Sequence, residues 1–499
     1  MPQFPHAARP PRIQLLSRTA LRGVRSASLP AIVLASLVAL HCDVAHAHDP
    51  ASNPTGHKET PVAAVVPGAD QPSIASIVPA LGDFKKALLD RGFNFQLSYI
   101  QDTFGNPFGG VKQGATYGSV LYMAVDADLA KIAGLPGATF RVNAYQIQGR
   151  SLSTYNIFNY STISGFAARP TTRLFELWVE QKLFADMVSI RIGQLTADNQ
   201  FFISEFGNSL FINVTFGWSN LFIQDLPGGG GPNYPLATPG ARLKVTPTDQ
   251  ITLLAAIFNG DPAGTGFTGL QEIKDPAGIN FRLKDLPFLI GEAQYKYNQE
   301  RDSPGLAGTV KIGGWYHFGP FNDYHFGIDG RSLADPLSNG RPLAHLGDFG
   351  VYGVIDQMLW RLPGEGTKKG IGGFARVGMS PSDRNLMNFY AEAGVNFIGI
   401  WKQRPDDTFG CAAAFSQLSP SISALDRNTA FFAGEALPVR TNELALEVSY
   451  QAQIGPSWIV QPDFQYIFRP GGGVIDPVNH ALGRIPDAAV FGLRTSISF

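Results

Sequence analysis

Three side chains that could contact a polar solute occupy alternate positions in one extended segment, residues 172–184. Glu176, Trp178 and Glu180 are each two residues apart, so in a β-strand they project from the same face. A tryptophan between two carboxylates on a polar face has two interpretations. It packs against a loop folded over it, or it serves as a platform for a solute.

Two arginines fall on the same polar face of neighbouring candidate strands. The alternation places Arg141 inward on the candidate strand 138–148 and Arg191 inward on 188–195. Carboxylates and guanidinium forks form charge-assisted hydrogen bonds with adjacent hydroxyls, and an aromatic ring covers the C–H side of a sugar.

Charges on this face are nearly balanced along the whole chain. The alternation gives ten inward acids and nine inward bases. They are Asp126, Asp128, Glu176, Glu180, Glu292, Asp356, Glu392, Glu443, Glu447 and Asp463, with Arg141, Lys182, Arg191, Arg242, Lys244, Lys296, Lys311, Arg376 and Arg494. Because a strongly ion-selective pore carries rings of one sign, this balance favours a neutral, hydroxyl-rich solute. The alternative is that these charges only make the inner face hydrophilic and pair with one another, without binding a solute.

The opposite face of the same segments is apolar, and the pattern repeats to the last residue, Phe499. On 172–184 it places Phe175, Leu177 and Val179 toward lipid. Sixteen segments alternate in this way, an even number, as in bacterial single-chain membrane barrels. They are 93–102, 119–129, 138–148, 172–184, 188–195, 240–246, 250–259, 288–298, 309–318, 348–359, 371–380, 386–401, 407–416, 441–454, 457–468 and 488–499.

The spacing of these segments predicts an all-β fold, a sixteen-stranded antiparallel transmembrane β-barrel with short periplasmic links and longer outer loops. Residues 278–284 also resemble a strand, but counting them instead of 407–416 would put the long stretch 319–347 on the periplasmic side. A soluble sandwich or propeller is the alternative all-β fold. Aromatic residues at the strand ends favour the membrane barrel.

The first ninety residues carry an export signal rather than strands. Arginines precede the apolar run 29–40, and Ala45-His46-Ala47 follows, which predicts a signal peptide at 1–47. A Pro- and Ala-rich linker is predicted at 48–80 and a short periplasmic helix at 81–92, before the barrel at 93–499. The net charge of −1 argues against a nucleic-acid partner.

The longest loop, 196–239, is too apolar and aromatic to extend into water. Long loops without regular structure are usually functional. We expect this loop to fold into the barrel and narrow it, with Gly228 to Gly231 allowing the chain to turn back.

An outer-membrane enzyme is the main rival interpretation. After the leader and linker only His317, His325, His345 and His480 remain, and no nucleophile-elbow, zinc-protease or phosphate-loop motif is present. Acidic residues of the loop 319–347 could bind a metal, although such loops are more often only solvated. They are Asp323, Asp329 and Asp335, together with His325.

Several stretches, in order along residues 81–499, resemble the carbohydrate-selective outer-membrane porins of the OprB family. They include FELWVEQKLF at 175–184, RIGQLTADNQF at 191–201, FINVTFGW at 211–218, FARVGMSPSDRN at 374–385 and QPDFQYIFRPGGG at 461–473. The resemblance implies a sixteen-stranded porin in the Gram-negative outer membrane that takes up glucose-like sugars passively and without a cofactor. It also implies an eyelet lined by Arg, acidic and aromatic side chains, and carrying this over to residues that the alternation points inward gives Arg141, Glu176, Trp178, Glu180 and Arg191 as the candidate channel and substrate-binding residues.

The sequence leaves several properties of such a porin open. A general diffusion porin for small hydrophilic solutes is the alternative function, and a structural or adhesive barrel is a further one. The preferred sugar, a monomeric or homotrimeric state, and whether the N-terminal helix plugs the channel are not determined by the residues.

Overall fold

The structure is a computed structural model, and it describes residues 79–264 and 271–499. The predicted signal peptide, 1–47, lies outside the described residues, as does the predicted linker, 48–80, except for its last two residues. The described chain begins with helix α1 (Pro79–Asp90), and strand β1 follows three residues after it.

Sixteen antiparallel strands in the described chain form one closed barrel, which confirms the predicted fold. Each strand pairs with its neighbours in sequence, and β1 pairs with β16 through Ser98 and Ser498 to close the sheet. Closure leaves no sheet edge unpaired, which a membrane requires. The strands are β1 (Phe93–Phe108), β2 (Gly114–Asp128), β3 (Ala138–Gly149), β4 (Thr171–Leu183), β5 (Val188–Leu195), β6 (Thr238–Val245), β7 (Ile251–Phe258), β8 (Phe288–Tyr297), β9 (Gly308–Gly327), β10 (Pro342–Arg361), β11 (Gly370–Met379), β12 (Met387–Ile398), β13 (Thr408–Leu418), β14 (Asn442–Gly455), β15 (Trp458–Phe468) and β16 (Ala488–Ser498).

Short helices interrupt the connections between strands. No helix in the ranges 79–264 and 271–499 is long and apolar enough to cross a membrane. The further α-helices of the described chain are α2 (Leu129–Ala133), α3 (Glu205–Leu210), α4 (Val214–Gly217), α5 (Asn220–Asp225), α6 (Pro227–Gly230), α7 (Pro420–Ala433) and α8 (Pro470–Gly473).

Strands β9 and β10 are much longer than the alternation predicts. Each has 20 residues, so the predicted loop 319–347 shrinks to 328–341. Gly319 and Pro320 are residues that usually end a strand. For this reason the sequence pattern did not reveal that β9 continues beyond residue 318. The register between β9 and β10 shifts beside the pair Pro320–Leu346, and such an irregularity accommodates a proline inside a sheet.

The rejected strand candidate 278–284 is a loop segment in the structure. It follows a stretch that is tied to the rim of the barrel. The backbone N–H of Leu174 donates to the carbonyl of Ala277 at 2.9 Å, and the Gln194 side chain donates to the carbonyl of Gly278 at 2.9 Å. The period-two pattern of this segment therefore does not mark a strand of the barrel.

The two faces of the wall have the predicted polarity. Glu176 and Arg191 are buried inside the barrel, whereas Val179, Ile190 and Ile192 are exposed on the other face. Because alternate residues of a strand point to opposite faces, the apolar face is the one that meets lipid and the polar face is the one around the interior.

Phe175 is an exception, and its predicted lipid-facing position is wrong. The β3–β4 register shifts between Val142 and Ala144, which is a β-bulge that sets two residues of β4 against one of β3. Phe175 is therefore buried in the interior, where its ring lies 5.0 Å from that of Tyr145. The bulge shifts the alternation by one residue, and the sequence pattern alone did not reveal it.

Candidate functional site

The loop between β5 and β6, residues 196–237, folds into the barrel as predicted; we call it the inward loop. Its aromatic side chains Phe202, Phe216 and Phe222 are completely buried. They pack in one cluster with wall residues such as Tyr352 and Phe374. Apolar burial of this kind is the main driving force for folding, so the inward loop is an integral part of the barrel interior.

Carboxylates of the wall hold the inward loop by its backbone. Asp356 accepts hydrogen bonds from the N–H groups of Glu205 and Phe206, at 3.1 and 3.3 Å. Glu447 accepts from Ile212 and Asn213, at 2.5 and 2.9 Å. Burying backbone N–H groups without a partner is costly, so these acids are anchors for the loop as well as charges on the wall.

Cations of the wall hold the carbonyl groups of the same loop. Arg376 donates to the carbonyl oxygens of Thr215 and Gly217, at 2.7 and 2.9 Å, and also to that of Phe202. It forms a two-pronged ion pair with Glu392, at 2.6 and 2.9 Å, and both side chains are fully buried. Several charges predicted to line a water-filled wall therefore serve the packed loop.

The five predicted site residues lie together on β3, β4 and β5. In the strand register, Arg141 is opposite Trp178, and Glu180 is opposite Arg191. Glu176 lies one inward position above Trp178 on β4. The period-two pattern of three separate segments thus converges on one patch of the interior wall.

Trp178 lies between the two arginines. The guanidinium carbon of Arg191 is 4.0 Å from the centroid of the ring, and that of Arg141 is 5.5 Å away. The ring is only 5% exposed and belongs to the cluster that includes the inward loop. The geometry therefore makes Trp178 a support that positions two cations, each in the range of a cation–π contact.

Each arginine is also paired with an acid. Arg141 forms two hydrogen bonds with Asp126, at 2.5 and 2.8 Å, and Arg191 donates to Glu180 at 2.8 Å. Arg242 of β6 donates to the other oxygen of Glu180 at 3.1 Å. Asp126 and Arg242 were among the predicted inward charges but were not singled out, because cross-strand pairing becomes visible only once the register is known.

Glu176 connects the wall to the inward loop. It accepts hydrogen bonds from the side chains of Asn143 and Asn199, at 2.7 and 3.0 Å. Asn199 Oδ1 and Trp178 Nε1 are buried and have no hydrogen-bond partner among the described residues. Buried polar atoms of this kind normally bond to water or a ligand. Asn199 was missed because nothing in the sequence indicates which loop residue reaches Glu176.

Asp198, next to Asn199, accepts a hydrogen bond from the backbone N–H of Tyr234 at 2.8 Å. Burial within the inward loop raises the pKa of its carboxyl to about 7, because desolvation disfavours the charged form. The charge of the inward loop close to Glu176 therefore changes around neutral pH.

Gly193 lies directly opposite Trp178 in the strand register. Its φ is +149°, and a Cβ there would lie 2.2 Å from the carbonyl oxygen of Leu177 and 2.6 Å from the Cα of Trp178. We expect Gly193→Ala to lower the free energy of unfolding by about 1–3 kcal/mol through overpacking, measured as a lower urea midpoint of folding into detergent micelles. Gly291→Ala is the matched control, since its nearest atom is 3.7 Å away. Equal midpoints for both variants would contradict this steric interpretation.

Acidic and histidine residues of the predicted loop 319–347 have structural partners. No group of three or more metal-ligating side chains occurs within residues 79–264 and 271–499. Asp329 and Asp335 accept backbone hydrogen bonds in tight turns, and His345 pairs with Asp323 at 2.9 Å. The predicted metal alternative for this loop therefore lacks support in the geometry.

Comparisons with known proteins agree with this architecture. The chain is 23% identical over 431 residues to "Porin B" of Pseudomonas aeruginosa, which covers 81% of this chain and 88% of that protein. It is 21% identical over 444 residues to "Putative porin QuiX" of Acinetobacter baylyi, with 84% and 92% covered. A solved structure of OprB from Pseudomonas putida at high pH matches the fold with a TM-score of 0.72 and 22% identity, covering 84% of this chain and 97% of that one.

The family comparison covers most of the barrel. The sequence profile described as "Carbohydrate-selective porin, OprB family" matches residues 112–499, from the β1–β2 loop to the last residue. With a closed sixteen-stranded barrel, a polar interior and an inward loop, this chain belongs to the carbohydrate-selective porins of the OprB family and is an outer-membrane channel for the uptake of sugars.

Proposed function

We propose that this porin admits glucose-like sugars by facilitated diffusion through a constriction formed by Arg141, Glu176, Trp178, Glu180 and Arg191. The observation that supports it best is the pair of guanidinium groups on Trp178, each of which is also bonded to a carboxylate. Trp178 packs in the same cluster as aromatic residues of the inward loop, which supports a constriction at this place. The Pseudomonas relative is also named as a porin, Porin B.

The pairing of charges explains why neutral solutes are favoured. Arg141 carries five N–H donors, and Asp126 accepts hydrogen bonds from two of its nitrogens. The three arginines Arg141, Arg191 and Arg242 are balanced by three acids, Asp126, Glu176 and Glu180, and charged side chains held in a fixed geometry suit adjacent sugar hydroxyls. A sugar exchanges its water for these contacts, and binding stays weak enough for it to leave.

A general diffusion porin, the alternative function, would need a different kind of constriction from a selective porin. A wide, unspecific pore needs no buried cation pair on an aromatic ring and no loop anchored at many points. The wall anchors at Asp356, Arg376 and Glu447 support the selective interpretation, because they fix the inward loop in one position.

We also propose that the chain is not an enzyme. His317 uses both ring nitrogens in bonds to the backbone of Gly260 and Gly319, and His325 bonds to Asn428. These histidines are occupied in holding loops together. The proposal applies to a monomer or a homotrimer alike, because all five constriction residues belong to one chain.

Liposome swelling tests the proposed selectivity. Proteoliposomes should swell fastest in isotonic monosaccharides. They should swell more slowly in disaccharides, and also more slowly in amino acids of the same size as the monosaccharides. Control liposomes carry Arg376→Leu, which we expect to release the inward loop. Equal swelling rates for monosaccharides and size-matched amino acids in the wild-type protein would support the general diffusion porin instead.

A further inference from the structure

A cavity of about 240 Å³ opens on the interior side of the barrel at the end where short links join the strands. In an outer-membrane barrel this is the periplasmic end. The cavity is lined by wall residues and by the two helices at this mouth. The lining includes Leu89 of α1, Lys131 of α2, and Asn94, Asp126, Asp128 and Thr139 of the wall.

The strand register connects this cavity to the constriction. Asn94 is opposite Asp126, and Asp126 is opposite Arg141. One inward position lower, Asp128 is opposite Thr139, and Thr139 is opposite Glu180. The lining of the cavity and the constriction are therefore neighbouring positions in two continuous cross-strand rows.

The cavity has a fixed frame. Asp128 caps helix α2 by accepting a hydrogen bond from the N–H of Ala130 at 3.0 Å. Lys131 donates to the carbonyl of Leu89 at 3.2 Å and so ties α2 to the end of α1. Asp126 is held by Arg141. Preformed sites of this kind lose little conformational entropy when a ligand binds.

Two lining side chains remain available to a solute. Within the described residues, Asn94 and Thr139 make no side-chain hydrogen bond to the rest of the protein. Together they provide an amide with donors and an acceptor and a hydroxyl with both. Leu89 adds an apolar surface to the same lining. This combination suits the hydroxyl and C–H faces of a sugar.

The volume limits the size of the occupant. Sites for drug-sized ligands measure about 300–1,000 Å³, so a cavity of about 240 Å³ suits a smaller molecule. We therefore take a monosaccharide, the smaller class of sugar, as the occupant.

We propose that this cavity is a monosaccharide subsite on the periplasmic side of the constriction, where a sugar that has passed Arg141 binds before it is released. The inference rests on the proposed function, since it requires that sugars pass the constriction. It adds a second binding position on the route and assigns α1 and α2 to its walls. A sugar arriving from the periplasm meets this subsite first.

The test is the rate at which glucose blocks single channels of known orientation, with the sugar added to one side at a time. Thr139→Val and Asn94→Leu each remove hydrogen-bonding groups of the subsite. We expect each to lower the association rate from the periplasmic side about threefold to tenfold, the effect of losing one or two hydrogen bonds. The association rate from the outer side should stay at the wild-type value, which also demonstrates an intact channel.

Thr116→Val is the matched control, because Thr116 lies on β2 toward the opposite end of the barrel. It should leave the periplasmic association rate unchanged. If Thr139→Val and Asn94→Leu leave both rates unchanged, or lower the two rates equally, the subsite does not exist although the proposed function stands. If glucose does not block the wild-type channel from either side, the proposed function itself fails.

Discussion

Replacing Arg376 by leucine is expected to release the inward loop and raise the single-channel conductance several-fold, with loss of sugar selectivity. Arg376 is fully buried, and it holds Glu392 and three carbonyl oxygens of the inward loop. Removing one partner of a buried ion pair costs about 3–5 kcal/mol, and the three carbonyls lose their donor as well. The loop then has fewer bonds to the wall, whereas the strands keep their backbone pairing.

Conductance in planar bilayers and cleavage of the inward loop by an added protease are the two measurements. Arg494→Leu is the matched control, because Arg494 also forms a buried pair, with Asp102 at 2.7 and 2.8 Å, but that pair bonds to Ser164, outside the inward loop. The control should leave conductance and protease resistance near their wild-type values. A protease-resistant Arg376→Leu channel of normal conductance would show that apolar packing alone holds the loop.

The strands were predictable because a membrane barrel imposes one strong rule on the sequence. Lipid outside and a polar interior force alternation at every second residue, and all sixteen predicted segments coincide with strands in the described chain. The long stretch 196–239 was predictable for a similar reason, since its aromatic residues needed an apolar environment. Local patterns therefore determined the order of the elements and the direction in which that loop folds.

Features that depend on contacts between distant residues were not predictable. The bulge that turns Phe175 inward exists only in the pairing of β3 with β4. Glu447 and Ile212 are 235 residues apart in the chain, and no periodicity identifies them as partners. The alternation could tell that Glu447 points inward, but it could not distinguish a charge that contacts solute from a charge that holds a loop.

This distinction changes the interpretation of the interior charges. Glu447, Asp356 and Arg376 bond to the backbone of the inward loop, whereas Arg141 and Arg191 bond to acids of the wall beside Trp178. The first group determines where the loop lies, and the second pairs with acids of the wall beside Trp178. The interior acids and bases, which are nearly equal in number, thus include side chains with two functions: some hold the inward loop, and others form the proposed constriction.

Trp178→Ala is expected to weaken glucose binding about tenfold while the conductance changes much less. The ring supports Arg141 and Arg191, at 5.5 and 4.0 Å from their guanidinium carbons. Cation–π contacts of about 0.5–2 kcal/mol each fix the direction of the remaining donors, and 1.4 kcal/mol corresponds to tenfold in affinity. Without the ring, the ion pairs with Asp126 and Glu180 persist, but the guanidinium groups gain freedom that a sugar must remove when it binds.

The measurement is the blocking constant of glucose in single channels, compared with the conductance of the same channels. Trp178→Phe retains an aromatic face and should recover most of the affinity, and Trp360→Ala, on the exposed face of β10, should change neither quantity. If Trp178→Ala alters conductance and affinity together, the ring acts through packing against the inward loop, to whose cluster it belongs. If both quantities stay the same, Trp178 is not part of the site, and the two arginines select solutes without it.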